Sequence, residues 1–167
     1  MKADAFKDQA RQWIDQLVEL KTNRGKLADL RCWFRDASKG RAYQTLIGLR
    51  GSLDDDAFNT VAALYAYHPE HREGAGNMGA ILRRLAREHN TFEGRMRRLL
   101  CCDAEELLKH LRSVILAARR DGAALDYLEL YLNLRSWGHD YWGEKARKDW
   151  ATAFWQSDET EASTATP

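Results

Sequence analysis

The segment GNMGAILRRLAREHNTFEGRMRRLL, residues 76–100, carries the two patterns that decide the fold. The first pattern is a helical repeat, because Met78, Ile81, Leu82 and Leu85 fall on one side of a helix at 100° per residue. The second is a set of six arginines against only two glutamates, in a chain whose net charge is only +1. The segment therefore predicts an amphipathic helix that packs on one face and presents guanidinium groups on the other.

Two interpretations of the arginine-rich face are open at this point. Arg83, Arg84 and Arg87 fall within a 100° arc, nearly opposite the apolar stripe. Such a face can be ordinary solvated surface. It also suits phosphate, because a guanidinium group donates two parallel hydrogen bonds and keeps its charge.

Length and composition limit the class of protein. A chain of 167 residues with 44% hydrophobic residues can form one domain, or two small helical lobes that share a core. No run approaches the ~20 apolar residues of a membrane helix, and the N-terminus lacks the apolar region of a secretory signal. Cys32, Cys101 and Cys102 lack metal-ligand spacing, so we expect reduced, buried thiols and a cytoplasmic location.

The predicted fold is all-α, a helical bundle of about eight or nine helices in two packed lobes. Only two prolines occur, and no segment shows sustained alternation of β-branched residues. We place an N-terminal lobe at residues 1–68, a connecting loop at 69–77 and a C-terminal lobe with the basic face at 78–156. We expect the polar, acidic residues 157–167 to be disordered.

Four local patterns give predictions that a structure can test. Residues 26–37 are typical of a second helix. Ser52 and Asp55 resemble a capping box at the start of the next helix. Residues 125–137 are apolar nearly all round and predict a helix central to the second lobe. In the last helix we expect Trp142 to be buried.

A glycine pattern in residues 74–79, GAGNMG, matches the dinucleotide-binding motif G-x-G-x-x-G. That motif needs a preceding strand and a βαβ unit, and neither is predicted here. The glycines are better explained by a turn that leads into the next helix, although a helix N-terminus can also hold an anion. We therefore expect no cofactor.

No arrangement of residues indicates a catalytic site. His68 and His71 could supply two metal ligands, but Pro69 spoils a helical arrangement and no third ligand is evident, so they are expected to be surface or loop histidines. Residues 54–56, three aspartates, could bind a divalent ion, yet acids in the first turn of a helix are favourable with its dipole.

Aromatic residues give a further pair of alternatives. Trp33, Trp142, Trp150 and Trp155 could form stacking platforms for unpaired bases. They also recur at helical spacing among other apolar residues, and core packing is the default interpretation of that spacing.

The order of these helical patterns resembles one known family, the small subunit of type I-E CRISPR Cascade (CasB). The resemblance covers about residues 26–156. Its parts are LADLR at residue 27, VAALYAYHP at 61, GNMGAILRRLA at 76, RMRRLL at 95, AEELL with HLR in the helix after Asp103, LDYLELYLNLRSW at 125 and the closing pair Trp150 and Phe154.

The resemblance implies a non-catalytic helical protein present in two copies in a crRNA-guided antiviral complex. Its implied partners are crRNA, target DNA and other Cascade subunits, with no membrane contact. The resemblance and the arginine-rich segment together give the candidate contacts: Arg31, Arg83, Arg84, Arg87, Arg95, Arg98, Lys145 and Arg147. The chain departs from the family at Cys32 and Met96, where the family often has arginine and phenylalanine.

We therefore expect a subunit that holds the nucleic-acid backbone by charge and stabilises the R-loop, with no metal ion or cofactor. The alternative is a helical adaptor whose arginine face binds acidic protein surfaces. A third hypothesis, an enzyme that uses His68 and His71 with an acid, has the least support.

Overall fold

A computed structural model describes residues 1–156 of the chain. This part of the chain folds into nine α-helices and contains no strand, apart from a single isolated bridge between His71 and Leu125. The predicted all-α bundle is therefore confirmed. The helices are α1 Lys2–Val18, α2 Arg24–Arg31, α3 Tyr43–Arg50, α4 Asp56–Tyr67, α5 Met78–Ala86, α6 Thr91–Cys101, α7 Ala104–Asp121, α8 Tyr127–Ser136 and α9 Asp140–Trp155.

Short polar side chains begin most of these helices. In five of them an Asn or Asp directly before the helix accepts a hydrogen bond from a backbone N–H three positions later, which satisfies one of the unpaired donors of the first turn. These caps are Asn23, Asp55, Asn77, Asp103 and Asp126.

The predicted capping box at Ser52 is wrong. The cap of α4 is Asp55, whose carboxylate accepts from the N–H of Phe58 at 3.0 Å. Ser52 instead donates from its hydroxyl to Asp54, before the helix begins. The spacing of Ser52 and Asp55 is that of a capping box, but the acid lies at the cap position itself.

Helix α4 lies at the centre of the bundle, and residues 58–66 are all buried. It packs against α2, α7 and α8, so helices from both sides of the connecting loop meet on it. Helix α8 packs against α1 and α4 as well as α9. One hydrophobic core extends from Ala10 to Phe154. The division into two lobes stays a prediction.

Two further predictions are corrected by the structure. Helix α2 ends at Arg31 and is followed by a 3₁₀ turn, Cys32–Phe34, which places the indole N–H of Trp33 3.3 Å from the hydroxyl of Thr60. Trp142 is 53% exposed. The buried stripe of α9 begins one residue later, at Gly143, and includes Ala146, Trp150 and Phe154.

Helices α5 and α9 approach each other more closely than side chains would allow. A Cβ atom on Gly79 would overlap the backbone carbonyl group of Trp150. This contact sets the two helices side by side, with the C-terminal end of α9 beside the polar face of α5.

Two predictions concern the chain as a whole. No helix within residues 1–156 is long and apolar enough to cross a membrane. The predicted disordered tail, residues 157–167, lies outside the described residues.

Candidate nucleic-acid interface

The exposed side of α5 and the residue that follows the helix carry three arginines, Arg83, Arg84 and Arg87, which we call the arginine face. The opposite side of α5 is buried, as the sequence predicts, by its four apolar residues and Gly79. The arginine face lines a groove of about 240 Å³, together with Ala153 and Gln156 at the end of α9. We call it the α5–α9 groove.

A second, larger groove lies between α6 and α7. Its main part has a volume of about 590 Å³ and an adjoining part about 200 Å³. The apolar side chains that line it include Leu85, Phe92 and Leu116, and its basic side chains are Arg95, Arg98 and Arg120. The guanidinium group of Arg95 lies 4.8 Å from the ring centre of Phe92, which contributes a cation–π attraction.

The two grooves adjoin at one ion pair. Nε of Arg84 lies 2.9 Å from Oδ2 of Asp121. Arg84 lines the α5–α9 groove, and Asp121 lines the α6–α7 groove. Together the two grooves have six arginines in their walls against two acids, Glu88 and Asp121. The surface is therefore strongly positive, although the whole chain has a net charge of only +1.

Two of the predicted contacts are bound to backbone carbonyl groups elsewhere. Arg31 is half-buried and donates to the carbonyl oxygen of Ala66 at 3.0 Å. Arg147 donates to the carbonyl oxygens of Trp137 at 3.1 Å and Cys102 at 3.4 Å, and its guanidinium group stacks on the Trp137 ring at 4.4 Å. Each side chain thereby links residues near the ends of helices, and these hydrogen bonds explain its position without a ligand.

Lys145 is exposed on α9 and pairs with Asp149 at 2.7 Å, one helical turn away. The hydrogen bond and charge of Asp149 raise the pKa of Lys145. Pairs of this kind between exposed side chains are weak, so the amine remains able to exchange its partner for a phosphate.

One arginine of the site, Arg120, is not among the contacts that the sequence predicts. It lies in the last turn of α7, where a positive charge is favourable with the helix dipole. The pair Arg119 and Arg120 is visible in the sequence, but only the fold, in which α6 and α7 line opposite sides of one groove, shows that Arg120 faces the same groove as Arg95 and Arg98.

His68 and His71 hydrogen-bond the loop that precedes α5 to the start of the α8 region. His68 follows the end of α4 and so lies in the loop, as one of its two predicted placements has it, but it is buried and not at the surface, with Nε2 hydrogen-bonded to the carbonyl oxygen of Ala123. Nδ1 of His71 accepts from the N–H of Tyr127 at 3.1 Å. Within residues 1–156 no group of three or more potential metal ligands comes together.

The glycine pattern serves the turn, as expected. Gly74 and Gly76 have positive φ angles, and the N–H of Gly74 donates to the carboxylate of Asp126 at 2.8 Å. Asn77 then caps α5. The donor of Gly74 is therefore taken up by Asp126.

Comparison with known proteins decides the family. The family model of the CRISPR-associated protein Cse2 matches residues 41–155, more than half of the chain. The chain belongs to the Cse2 family. The Cse2 match spans α3 to α9 and so includes both grooves. The resemblance found in the sequence is confirmed.

Solved structures agree with the Cse2 assignment. The Cse2-family protein of Thermus thermophilus matches with a TM-score of 0.72 and 20% identity, over 90% of this chain and 98% of that one. A chain of a CRISPR RNA-guided surveillance complex matches with 0.72 and 19%, over 96% and 99%. CasB from Thermobifida fusca matches with 0.63 and 19%, over 90% and 96%. At these identities the likeness shows the fold alone. A comparison with curated protein sequences gave no match.

Proposed function

We propose that this chain is a non-catalytic subunit of a crRNA-guided surveillance complex, where it binds the backbone of guide RNA and target DNA and stabilises the R-loop. The observation that carries the proposal is the pair of adjoining grooves, whose walls contain six arginines and two acids. Membership of the Cse2 family and the likeness to a chain of a surveillance complex support it.

The charge pattern suits a phosphate backbone better than it suits bases. Arginine forks bind phosphate oxygens in two parallel hydrogen bonds, and such contacts position a protein without reading sequence. R-loop formation is nearly balanced in free energy, because the heteroduplex is about as stable as the duplex it replaces. A few backbone contacts can therefore shift the balance toward the open state.

The proposal includes the setting of the protein. We propose that it acts in the cytoplasm, binds other Cascade subunits and is present with a second copy of itself.

A salt titration tests the proposal. If Arg83 and Arg87 each bind one phosphate of a single strand, changing both to alanine flattens the slope of log K against log salt by about 1.4. Binding to oligothymidylate should weaken, and by about the same factor for other sequences, because backbone contacts carry no base preference. In the assembled complex the R-loop should have a shorter lifetime.

The matched control removes the same charge elsewhere. Arg24 and Arg35 are exposed residues outside both grooves, and their double alanine variant should leave the slope within error. The variant Arg95→Ala with Arg98→Ala tests the α6–α7 groove in the same way. If neither groove variant changes the slope or the R-loop lifetime while both remain folded, the proposal fails. Negligible binding of any strand by the wild type favours the adaptor alternative.

A further inference from the structure

The described part of the chain ends beside the arginine face. Helix α9 ends at Trp155, and the next residue, Gln156, lines the α5–α9 groove with Arg83, Arg84 and Arg87. Eleven residues follow, with the sequence SDETEASTATP. They contain three acids, Asp158, Glu159 and Glu161, and no lysine or arginine.

The charge of these eleven residues is opposite to that of the surface from which they continue. The whole chain has 26 lysines and arginines and 25 acids. Without the three acids of residues 157–167, residues 1–156 have 26 basic and 22 acidic side chains, a net charge of +4. Three quarters of that excess charge is balanced by one short segment, and that segment begins at the edge of the groove.

The length of the segment is sufficient to reach all three arginines. An extended chain advances about 3.5 Å per residue, so two residues can span up to about 7 Å and five up to about 17 Å. Because Gln156 is itself in the wall of the groove, the carboxylates need no rearrangement of α9 to meet the arginine face.

We propose that residues 157–167 bind the arginine face of their own chain and compete there with the phosphate backbone of a nucleic acid. The competition rests on the proposed function, whereas the contact itself rests only on the groove and the charges. Carboxylates bind guanidinium groups through the same paired hydrogen bonds as phosphates do. Attachment next to the groove gives the segment an effective concentration of about 1 mM or more.

The proposed contact is weak enough to be displaced. Ion pairs between exposed side chains contribute little each and are screened by salt. A nucleic acid offers a phosphate at every nucleotide and gains from counterion release, so it displaces the segment once several phosphates are in place. The segment would thus reduce binding of isolated short strands more than binding of a guide–target duplex held in a complex.

The first experiment detects the contact without nucleic acid. A nitroxide is attached at Ser163→Cys, in a Cys101→Ser background because Cys101 is the exposed cysteine and Cys32 and Cys102 are buried. At low salt we expect broadening of the NMR signals of the backbone amides of Arg83, Arg84 and Arg87. High salt should remove the broadening, and so should the triple variant Asp158→Asn, Glu159→Gln and Glu161→Gln.

The second experiment measures competition. The triple variant should bind oligothymidylate of about 12 nucleotides roughly 3- to 10-fold more tightly than wild type at low salt. The matched control neutralises three exposed acids near the start of the chain, Asp15→Asn, Glu19→Gln and Asp36→Asn, and changes the net charge equally. When Arg83 and Arg87 are also changed to alanine, the triple variant should raise the affinity for the oligonucleotide no more than this control does.

The outcomes separate this proposal from the proposed function. The proposal is overturned if the NMR broadening is absent at low salt, even though the protein binds nucleic acid. It is also overturned if the triple variant gains no more affinity for the oligonucleotide than its control. If the broadening is present and reversible but no variant binds the oligonucleotide, the contact is supported and the proposed function fails.

Discussion

At the scale of single residues, Asp55 is more than a helix cap. Oδ1 accepts from the N–H of Phe58, and Oδ2 accepts from the hydroxyl of Tyr131 at 2.6 Å and from Nη1 of Arg135 at 3.0 Å. Nη2 of Arg50 lies 3.3 Å from the same oxygen. The carboxylate is 9% exposed and therefore joins α3, α4 and α8 through one buried negative charge.

Asp55→Ala should cost about 3 kcal/mol of unfolding free energy, because it leaves partly buried guanidinium groups without their counter-charge. The neighbouring Asp56→Ala is the control, since Asp56 is exposed in the first turn of α4 and contributes only about 0.5 kcal/mol through the helix dipole. Urea unfolding of both variants gives the comparison. Equal losses would show that the buried carboxylate acts only as a cap.

The same network predicts that the stability of the fold depends on pH in the alkaline range. Burial, and then the hydrogen bond and charge of Asp55, raise the pKa of Tyr131 from its ordinary value of 10.0 to about 12. Because the folded protein holds this proton more tightly than the unfolded chain, the stabilisation is complete below pH 10. It is lost as pH rises from about 10 through 12.

Tyr131→Phe removes this contribution and leaves the other buried tyrosines, Tyr65 and Tyr127, unchanged. The variant should be less stable at pH 8 by about 1 kcal/mol, the ordinary contribution of one hydrogen bond. The difference between the two proteins should narrow between pH 10 and 12, because only the wild type has this tyrosine to ionise. A difference in stability that stays constant between pH 10 and 12 would contradict the raised pKa of Tyr131.

At the scale of helices, the contact between α5 and α9 depends on a residue without a side chain. Gly79→Ala would place a methyl group against the backbone of Trp150, which no change of rotamer can relieve. We expect a loss of about 3 kcal/mol, the upper range for overpacking, and a shift of the α5 and α9 NMR signals.

Gly94 provides the control for that substitution. It lies inside α6, and a Cβ atom added there would have no neighbour within 4 Å, so alanine meets open space. Gly94→Ala should stabilise the protein by about 0.5–1 kcal/mol, because alanine has the higher helix propensity. Thermal unfolding that shows losses of similar size for both variants would mean that Gly79 is not a close-contact position.

The sequence predicts the helices better than it predicts what their side chains contact. Caps such as Asp103 and the apolar stripe of α5 are local patterns, and local patterns determine where helices form. Arg31 and Arg147 are predicted to contact nucleic acid, and the sequence does not show that each also donates to a carbonyl group at least 10 positions away. A periodic pattern contains no information on such partners, nor on the α6–α7 groove, which forms only when the fold brings the two helices to opposite sides of it.

At the scale of the whole molecule, the core continues across the loop at residues 69–77. Helix α4 precedes this loop, yet it packs against α7 and α8, which follow it. Tyr127 also donates from its hydroxyl to the carbonyl oxygen of His68 at 2.6 Å, so the two sides share a buried hydrogen bond. Any division into two lobes must therefore cut through packed apolar side chains and buried polar contacts.

This continuity predicts that the two proposed lobes unfold together. The calorimetric and van't Hoff enthalpies of unfolding should agree, as they do for a single cooperative unit. Leu111→Ala provides the sharper test, because Leu111 is fully buried in α7 and its truncation should cost about 2–5 kcal/mol. Native-state hydrogen exchange should then show the same loss of protection in α4 as in α7, although α4 lies on the other side of the loop. Protection that falls in α7 and α8 while α4 keeps its wild-type value would show that the lobes unfold separately, and that the shared core does not couple them.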